Sequence, residues 1–246
     1  MFNFFWRMFK KIAKFKNAAW REEFRYRVLR RVGRIIMPTY RFQWNQLYWW
    51  KDQEFLSFLA HFDEQNGLNS HRRWLLYQLA LASTKVPGDT VECGAFRGAG
   101  SYLICKATQS DGCRRTHFIF DSFQGLSEPS AVDGSYWAQG NMCCSLENFE
   151  KPKANVSIHP GWIPDRFPDV AERRFSFVHI DVDLEQPTAD SVAFFYPRLN
   201  AGGIMVFDDH GFDSCPGARK AINDFMAAKI EKVIEDPCGS SFILKS

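Results

Sequence analysis

Six acidic residues stand where apolar runs end. They are Glu92 in 90-TVECG-94, Asp121 in 117-HFIFDSF-123, Asp181 and Asp183 in 176-SFVHIDVD-183, and Asp208 and Asp209 in 203-GIMVFDD-209. Open α/β sheets bind ligands at the carboxyl ends of their strands, so the recurrence predicts one polar crevice. Glu92 opens an E-x-G-x-x-x-G pattern. Its Gly94 and Gly98 permit close backbone approach to a ligand, the following helix N-terminus receives a polar end, and Glu92 can accept from an ammonium group. Asp121 ends the next strand, where nucleotide-binding folds set an acid against ribose hydroxyls. Asp181 and Asp183 share one side while the strand persists, and Asp208 and Asp209 end a neighbouring strand. Carboxylates gathered in this way repel one another unless a cation compensates. Hard oxygens without nearby Cys or His pairs favour Mg²⁺, with Mn²⁺ or Ca²⁺ open, over zinc. Helix capping accounts for one or two of these four acids.

The elements that must position these residues follow from periodicity. From about residue 70, helices and strands alternate, the pattern of an open, mainly parallel α/β sheet. A helix over 71–84 precedes the turn 86-VPGD-89. Beyond the four strands above, 155-NVSIH-159 is a fifth, and helices are predicted over 99–109, 188–199 and 217–229. The tail, 232-KVIED-236 and 240-SSFILK-245, predicts a closing hairpin.

The first 69 residues differ in kind. Residues 1–42 carry 12 Lys/Arg against 2 acids, whereas the rest carry 19 against 26, so a formal net charge of +3 conceals a basic arm on an acidic body. Phe5, Phe9, Ile12, Phe15 and Ala19 recur at helical spacing, and a second amphipathic helix runs through Trp20, Phe24, Val28, Val32 and Ile35 until Pro38 stops it. The aromatic segment from Tyr40 to Phe62 is predicted helical and packed on the main domain, with a cover over a cleft left open. No apolar run reaches transmembrane length, and the N-terminus does not have the form of a signal peptide. Seven cysteines without C-x-x-C pairing predict reduced thiols and a cytoplasmic protein.

Taken together, 86-VPGDTVECGAFRGAGS-101, 121-DSFQGL-126, 179-HIDVDLEQPT-188, 196-YPRLNAGGIMVFDDHG-211 and 217-GARKAINDF-225 resemble the macrocin O-methyltransferase family. These are S-adenosylmethionine-dependent enzymes of the class I methyltransferase superfamily that methylate sugar hydroxyls. The likeness spans about residues 70 to 230. It implies a Rossmann-like, mainly parallel seven-stranded sheet with an antiparallel strand near the C-terminus, in a domain over 70–246 that follows the basic, aromatic-rich helical extension over 1–69 read from the residues themselves. It also implies cofactor contacts at Glu92, Gly94, Gly98, Ser101, Asp121 and Ser122, Mg²⁺ ligands at Asp181, Asp208 and Asp209, and Asp183 as general base. Two positions depart from the family's pattern: Glu185 replaces the aromatic of D-V-D-L-Y, and His210 replaces the tyrosine of D-D-Y. Both bear on the acceptor more than on methyl transfer. Trp162 borders the adenine or packs, and Arg97 and His210 are candidate pocket residues.

The expected reaction is therefore metal-dependent O-methylation of a sugar or glycan intermediate, small or lipid-linked. A catechol-like or other hydroxylated acceptor remains open, as does a catalytically silent membrane-docked scaffold. Nucleic acid is not an expected partner, because the N-P-P-Y-like loop of amino-directed enzymes is absent. Residues 1–37, basic with large aromatic faces, suit peripheral contact with the inner face of the cytoplasmic membrane, or packing on the body or on a second copy in a homo-oligomer.

Overall fold

The structure, a computed structural model, describes residues 17–65, 67–109 and 114–246. The predicted helix beginning at Phe5 lies mostly outside them. Two compact units divide between Ser57 and Phe58, upstream of the 69/70 boundary drawn from composition.

In the first unit, α1 (Ala18–Ile36) starts on Asn17, whose side chain accepts from the Ala19 and Trp20 N–H groups. Met37 caps its end and Pro38 follows, as the sequence predicts. The aromatic segment is less helical than expected. Residues 40–47 are irregular, a 3₁₀ turn covers Tyr48–Lys51, and α2 (Gln53–His61) begins only where Asp52 accepts the Phe55 N–H at 2.9 Å. Within this stretch Trp49 meets Trp50 and Phe55 edge to face, packing that needs no continuous helix.

The second unit holds a seven-stranded sheet in the order β3-β2-β1-β4-β5-β7-β6. Strands β1 (Asp89–Cys93), β2 (His117–Asp121), β3 (Val156–Pro160), β4 (Phe175–Ile180) and β5 (Leu199–Phe207) run parallel. Strand β7 (Ser241–Leu244) is antiparallel to β5 and pairs with the two-residue β6 (Ile234–Glu235), completing the predicted hairpin. Every residue of β4 is buried, as expected where helices cover both faces. Those helices include α3 (Ser70–Ala82), α4 (Ala99–Gln109), α5 (Glu185–Phe195) and α6 (Pro216–Met226). Helix α5 begins three residues earlier than predicted because Pro187 occupies its first turn, where a missing N–H costs nothing.

On one face Phe120, Phe167, Phe175 and Phe195 interlock, with the Phe167–Phe195 centroids 4.8 Å apart. Phe195 is fully buried at their junction. Phe195→Ala is expected to cost about 3–5 kcal/mol, measured by urea unfolding of the full chain. Opposite, Leu76, Leu79 and Ala80 of α3 and Ile104 and Ala107 of α4 pack against Phe177 and Ile204. Upstream of α3, Phe58 and Phe62 lie against Tyr102 of α4. Strand order reverses between β1 and β4, so the ends of these strands open the crevice that such a switch point creates.

Candidate active site

A cavity of about 390 Å³ occupies this switch point, within the roughly 300–1,000 Å³ range of small-molecule sites. Its floor is the β1–α4 turn. Gly94 adopts φ +80°, and a Cβ there would run into the Asp181 carbonyl, so only glycine lets β1 leave the sheet this close to β4. Gly98, at φ +93°, passes under the Glu150 carbonyl and the Phe149 ring. Asp121 ties the turn to β2 by accepting the N–H groups of Ala95 and Phe96 at 2.7 and 3.0 Å and that of Phe123 at 2.7 Å. Ser122 lines the cavity, and its hydroxyl donates to the Gly125 carbonyl. Trp162 and Arg97 also stand on the wall. His210 is buried elsewhere, against Asn223.

Asp63, Phe96, Met142 and Asp183 all carry left-handed backbone and all line the cavity. Non-glycine residues hold that conformation only where their surroundings over-determine it, commonly at functional sites.

Glu92 faces the cavity but is almost entirely buried. One oxygen accepts from Ser101 and the other lies 2.8 Å from His179 Nδ1. Burial alone would raise its pKa, but His179 and Ser101 hold it below its usual value. Ser101 is fully buried behind Glu92, with its Oγ 3.0 Å from His117 Nε2, so it braces the carboxylate and does not line the cavity. Gly100 makes this possible, since a Cβ there would occupy the Glu92 Oε1 position.

The four clustered acids divide in two. Ligand atoms of His179, Asp181 and Asp208 lie within 4.8 Å of one another, as do those of Asp183, Asp209 and Cys215. The expected trio of Asp181, Asp208 and Asp209 draws on both groups, and all three carboxylates are close enough to act on one another. The Asp183 N–H donates to Asp209 Oδ2 at 2.9 Å, drawing Asp209 to the Asp183 side, while Asp208 turns to Arg72 and His179.

Charge is only partly balanced. Burial and the Asp208 carboxylate push Asp181 up to about 8, and burial, with Asp208 nearby, pushes Asp183 up to about 6. Burial and the other three acids raise Asp209 well above its ordinary value. Burial opposes ionisation of Asp208 too, yet Arg72 and His179 hold it well below the carboxylate range. The arginines come from the first turn of α3. Arg72 meets Asp208, and Arg73 pairs with Glu64 and reaches Asp181 at 3.9 Å. Sequence reasoning missed both, although the signal was present: two cations in a helix's first turn oppose its dipole and need another reason to be there.

Three acids with raised proton affinity, supplied with oxygen donors and too little positive charge, form a donor set that fits a divalent cation. The Gly94 cradle and the cavity fit a nucleoside-sized ligand.

The family model described as Macrocin-O-methyltransferase (TylF) matches residues 77–238, a span containing all six acids. The chain belongs to the macrocin O-methyltransferase family. Its relatives include the 8-demethyl-8-(2,3-dimethoxy-alpha-L-rhamnosyl)-tetracenomycin-C 4'-O-methyltransferase of Streptomyces olivaceus, 32% identical over 57% of this chain and 58% of the relative. The mycinamicin III 3''-O-methyltransferase of Micromonospora griseorubida is 27% identical over 57% of this chain and 61% of the relative. The chain therefore spans about three fifths of the length of the curated relatives it matches. The solved O-methyltransferase NovP superposes with a TM-score of 0.59 at 25% identity, over 71% of this chain and 79% of that one. The present chain has the expected seven-stranded α/β sheet with an antiparallel strand near the C-terminus.

Proposed function

We propose that the chain is an S-adenosylmethionine-dependent O-methyltransferase acting on a hydroxyl of a sugar or glycan intermediate, aided by a divalent cation, Mg²⁺ or Mn²⁺. The observation that carries this is the convergence of the Gly94 turn, Asp121, Asp181 and Asp183 on one cavity at the β1/β4 switch, with buried Asp208 and Asp209 close beside the last two. The sugar acceptor is favoured by relatives named as methyltransferases of a rhamnosyl tetracenomycin and of mycinamicin III.

When bound, S-adenosylmethionine supplies a methyl group from its sulfonium to the acceptor oxygen, and a divalent cation supplies the charge that eases loss of the hydroxyl proton. Asp183 accepts that proton; a carboxylate raised to about 6 takes up a proton more readily than an ordinary one and stays ionised at neutral pH. The Gly94 turn lets backbone approach the donor, and Asp121 keeps that turn on β2. Glu92, braced by Ser101 and His179, retains acceptor capacity for an ammonium group. Asp181, Asp208 and Asp209 would hold the cation through their carboxylate oxygens, with His179 beside Asp181 and Asp208.

Transfer of labelled methyl from S-adenosylmethionine to nucleotide sugars and lipid-linked glycans, with and without Mg²⁺, tests this reading. Label in a sugar product that depends on the cation is expected; label in catechols alone would overturn the acceptor assignment. Metal binding requires deprotonated carboxylates. With Asp181 raised to about 8 and Asp209 also raised, Mn²⁺ affinity is expected to climb between about pH 6 and about pH 9 with proton release. Calorimetric titrations in two buffers of different ionisation enthalpy measure both effects, and a pH-independent affinity would contradict the cation site.

No helix among the described residues is long and apolar enough to cross a membrane. Basic α1, with Phe24, Val28 and Val32 on one stripe, supports a role for residues 1–37 in peripheral attachment to the inner face of the cytoplasmic membrane. Co-sedimentation of the full chain with anionic vesicles checks it, and recovery entirely in the supernatant would contradict it.

A further inference from the structure

Residues 122–155, which join β2 to β3, contain one 3₁₀ turn, Ala131–Asp133, and no other helix or strand. A connection this long and irregular inside a compact domain is commonly functional. This one is pinned beside the acids. Buried Asp133 accepts the Glu185 N–H through one oxygen at 2.6 Å, where α5 begins. Its other oxygen accepts the Ser130 N–H and hydroxyl at 2.8 and 2.7 Å. The first turn of α6 lies against the same carboxylate, since a Cβ on Gly217 would run into it.

Four residues on, Trp137 Nε1 donates to Cys215 Sγ at 3.3 Å, and the Cys215 thiol donates to Asp183 Oδ1 at 3.5 Å. The indole therefore stands two hydrogen bonds from the carboxylate assigned the acceptor proton. Its polar edge is satisfied inward, yet the ring is only half-buried, and Tyr136 beside it is 70% exposed. The two rings meet edge to face, with centroids 4.9 Å apart and planes at 88°. Neither lines the cavity that holds Glu92 and Asp121, so the pair extends the site outward from Asp183, away from the donor.

Tyr and Trp give rigid, amphipathic contact area at little entropic cost, and the bond to Cys215 fixes this indole before any ligand arrives. A pyranose complements such a surface: its C–H bonds form an apolar face, and its hydroxyls lie around the rim. Burying that face on an aromatic ring releases water while leaving a rim hydroxyl free to turn toward Asp183.

We infer that Tyr136 and Trp137 form the acceptor platform, on which the C–H face of the sugar rests with its reacting hydroxyl toward Asp183. The inference rests on the proposed reading of the chain as a sugar O-methyltransferase. Asp133 and Cys215 are positioning residues, which set the platform's distance from the base.

Fluorine NMR of the full chain labelled with 5-fluorotryptophan and loaded with S-adenosylhomocysteine tests it, with methyl α-L-rhamnopyranoside and catechol as the probes. The resonance missing from Trp137→Phe identifies Trp137; if that variant does not fold, displacement of the resonance in Tyr136→Ala, a change at an exposed side chain, identifies it instead. The Trp137 resonance is expected to move saturably with rhamnoside. Tyr136→Ala should weaken rhamnoside binding by about 2–10-fold while affinity for S-adenosylhomocysteine holds. Rhamnoside binding that leaves the Trp137 resonance in place, or that is indifferent to Tyr136→Ala, would overturn the platform and leave the sugar reading standing. Saturable binding of catechol alone, or of neither compound, would overturn both.

Discussion

Asp183→Asn is expected to fold, bind S-adenosylmethionine with little change, and methylate its acceptor about 10²–10⁴-fold more slowly, the usual contribution of a positioned general base. The substitution is nearly isosteric, and asparagine tolerates the φ of +58° that Asp183 adopts. It retains the backbone N–H that donates to Asp209, so the neighbouring acid stays in place. What disappears is the proton acceptor. Single-turnover transfer of labelled methyl separates this loss from binding: kcat should fall while the donor Kd holds. In the unmutated chain the rate should decline as pH falls through about 6, because protonated Asp183 is too weak a base to take the hydroxyl proton. Asp183→Asn should lack that limb. A variant retaining full turnover would remove Asp183 from the chemistry.

Gly94→Ala should abolish donor binding. Two costs combine at this position. The left-handed backbone costs an alanine roughly 1–2 kcal/mol, and the added methyl collides with the Asp181 carbonyl, backbone held just past the end of β4 by the Asp181 N–H bond to Cys93 O. The turn would have to retreat from β4, breaking the pairing of the Gly94 N–H with Phe120 O at 2.8 Å and of the Asp181 N–H with Cys93 O at 2.8 Å. Gly140 is the control. It has φ +79° and nothing within 4 Å of the point an added methyl would occupy, so Gly140→Ala bears only the backbone cost. Thermal unfolding and donor titration of the two variants should therefore diverge: a small loss of stability with binding kept for Gly140→Ala, and a loss of at least about a hundredfold in affinity for Gly94→Ala. Equal behaviour would mean that the Asp181 contact does not matter.

Much of this architecture is written in local pattern. Apolar runs ending in acids marked β1, β2, β4 and β5, and α4 spans the predicted 99–109 because Gly98 precedes it and its buried face repeats at helical spacing. Pro187 misled the start of α5, since proline breaks a helix interior but is harmless in a first turn. The site was legible as a set of acids but not in its partnerships. Arg72 and Asp208 lie far apart in the chain and meet only because α3 packs beside β5. Nor does spacing disclose that Ser101 and His179 engage both Glu92 oxygens, or that single residues, His179 and Cys215, join the acid groups where only Cys or His pairs would have signalled a softer metal site. Such contacts depend on side-chain direction across three strands, which the sequence pattern does not encode.

Calorimetric titration of the full chain with S-adenosylmethionine probes the cavity at the β1/β4 switch most directly. One saturable site per chain, displaced by S-adenosylhomocysteine and missing in Gly94→Ala, is the predicted result. A folded chain that gives no saturable heat with the donor would contradict it, and would leave a methyltransferase-shaped scaffold without the chemistry.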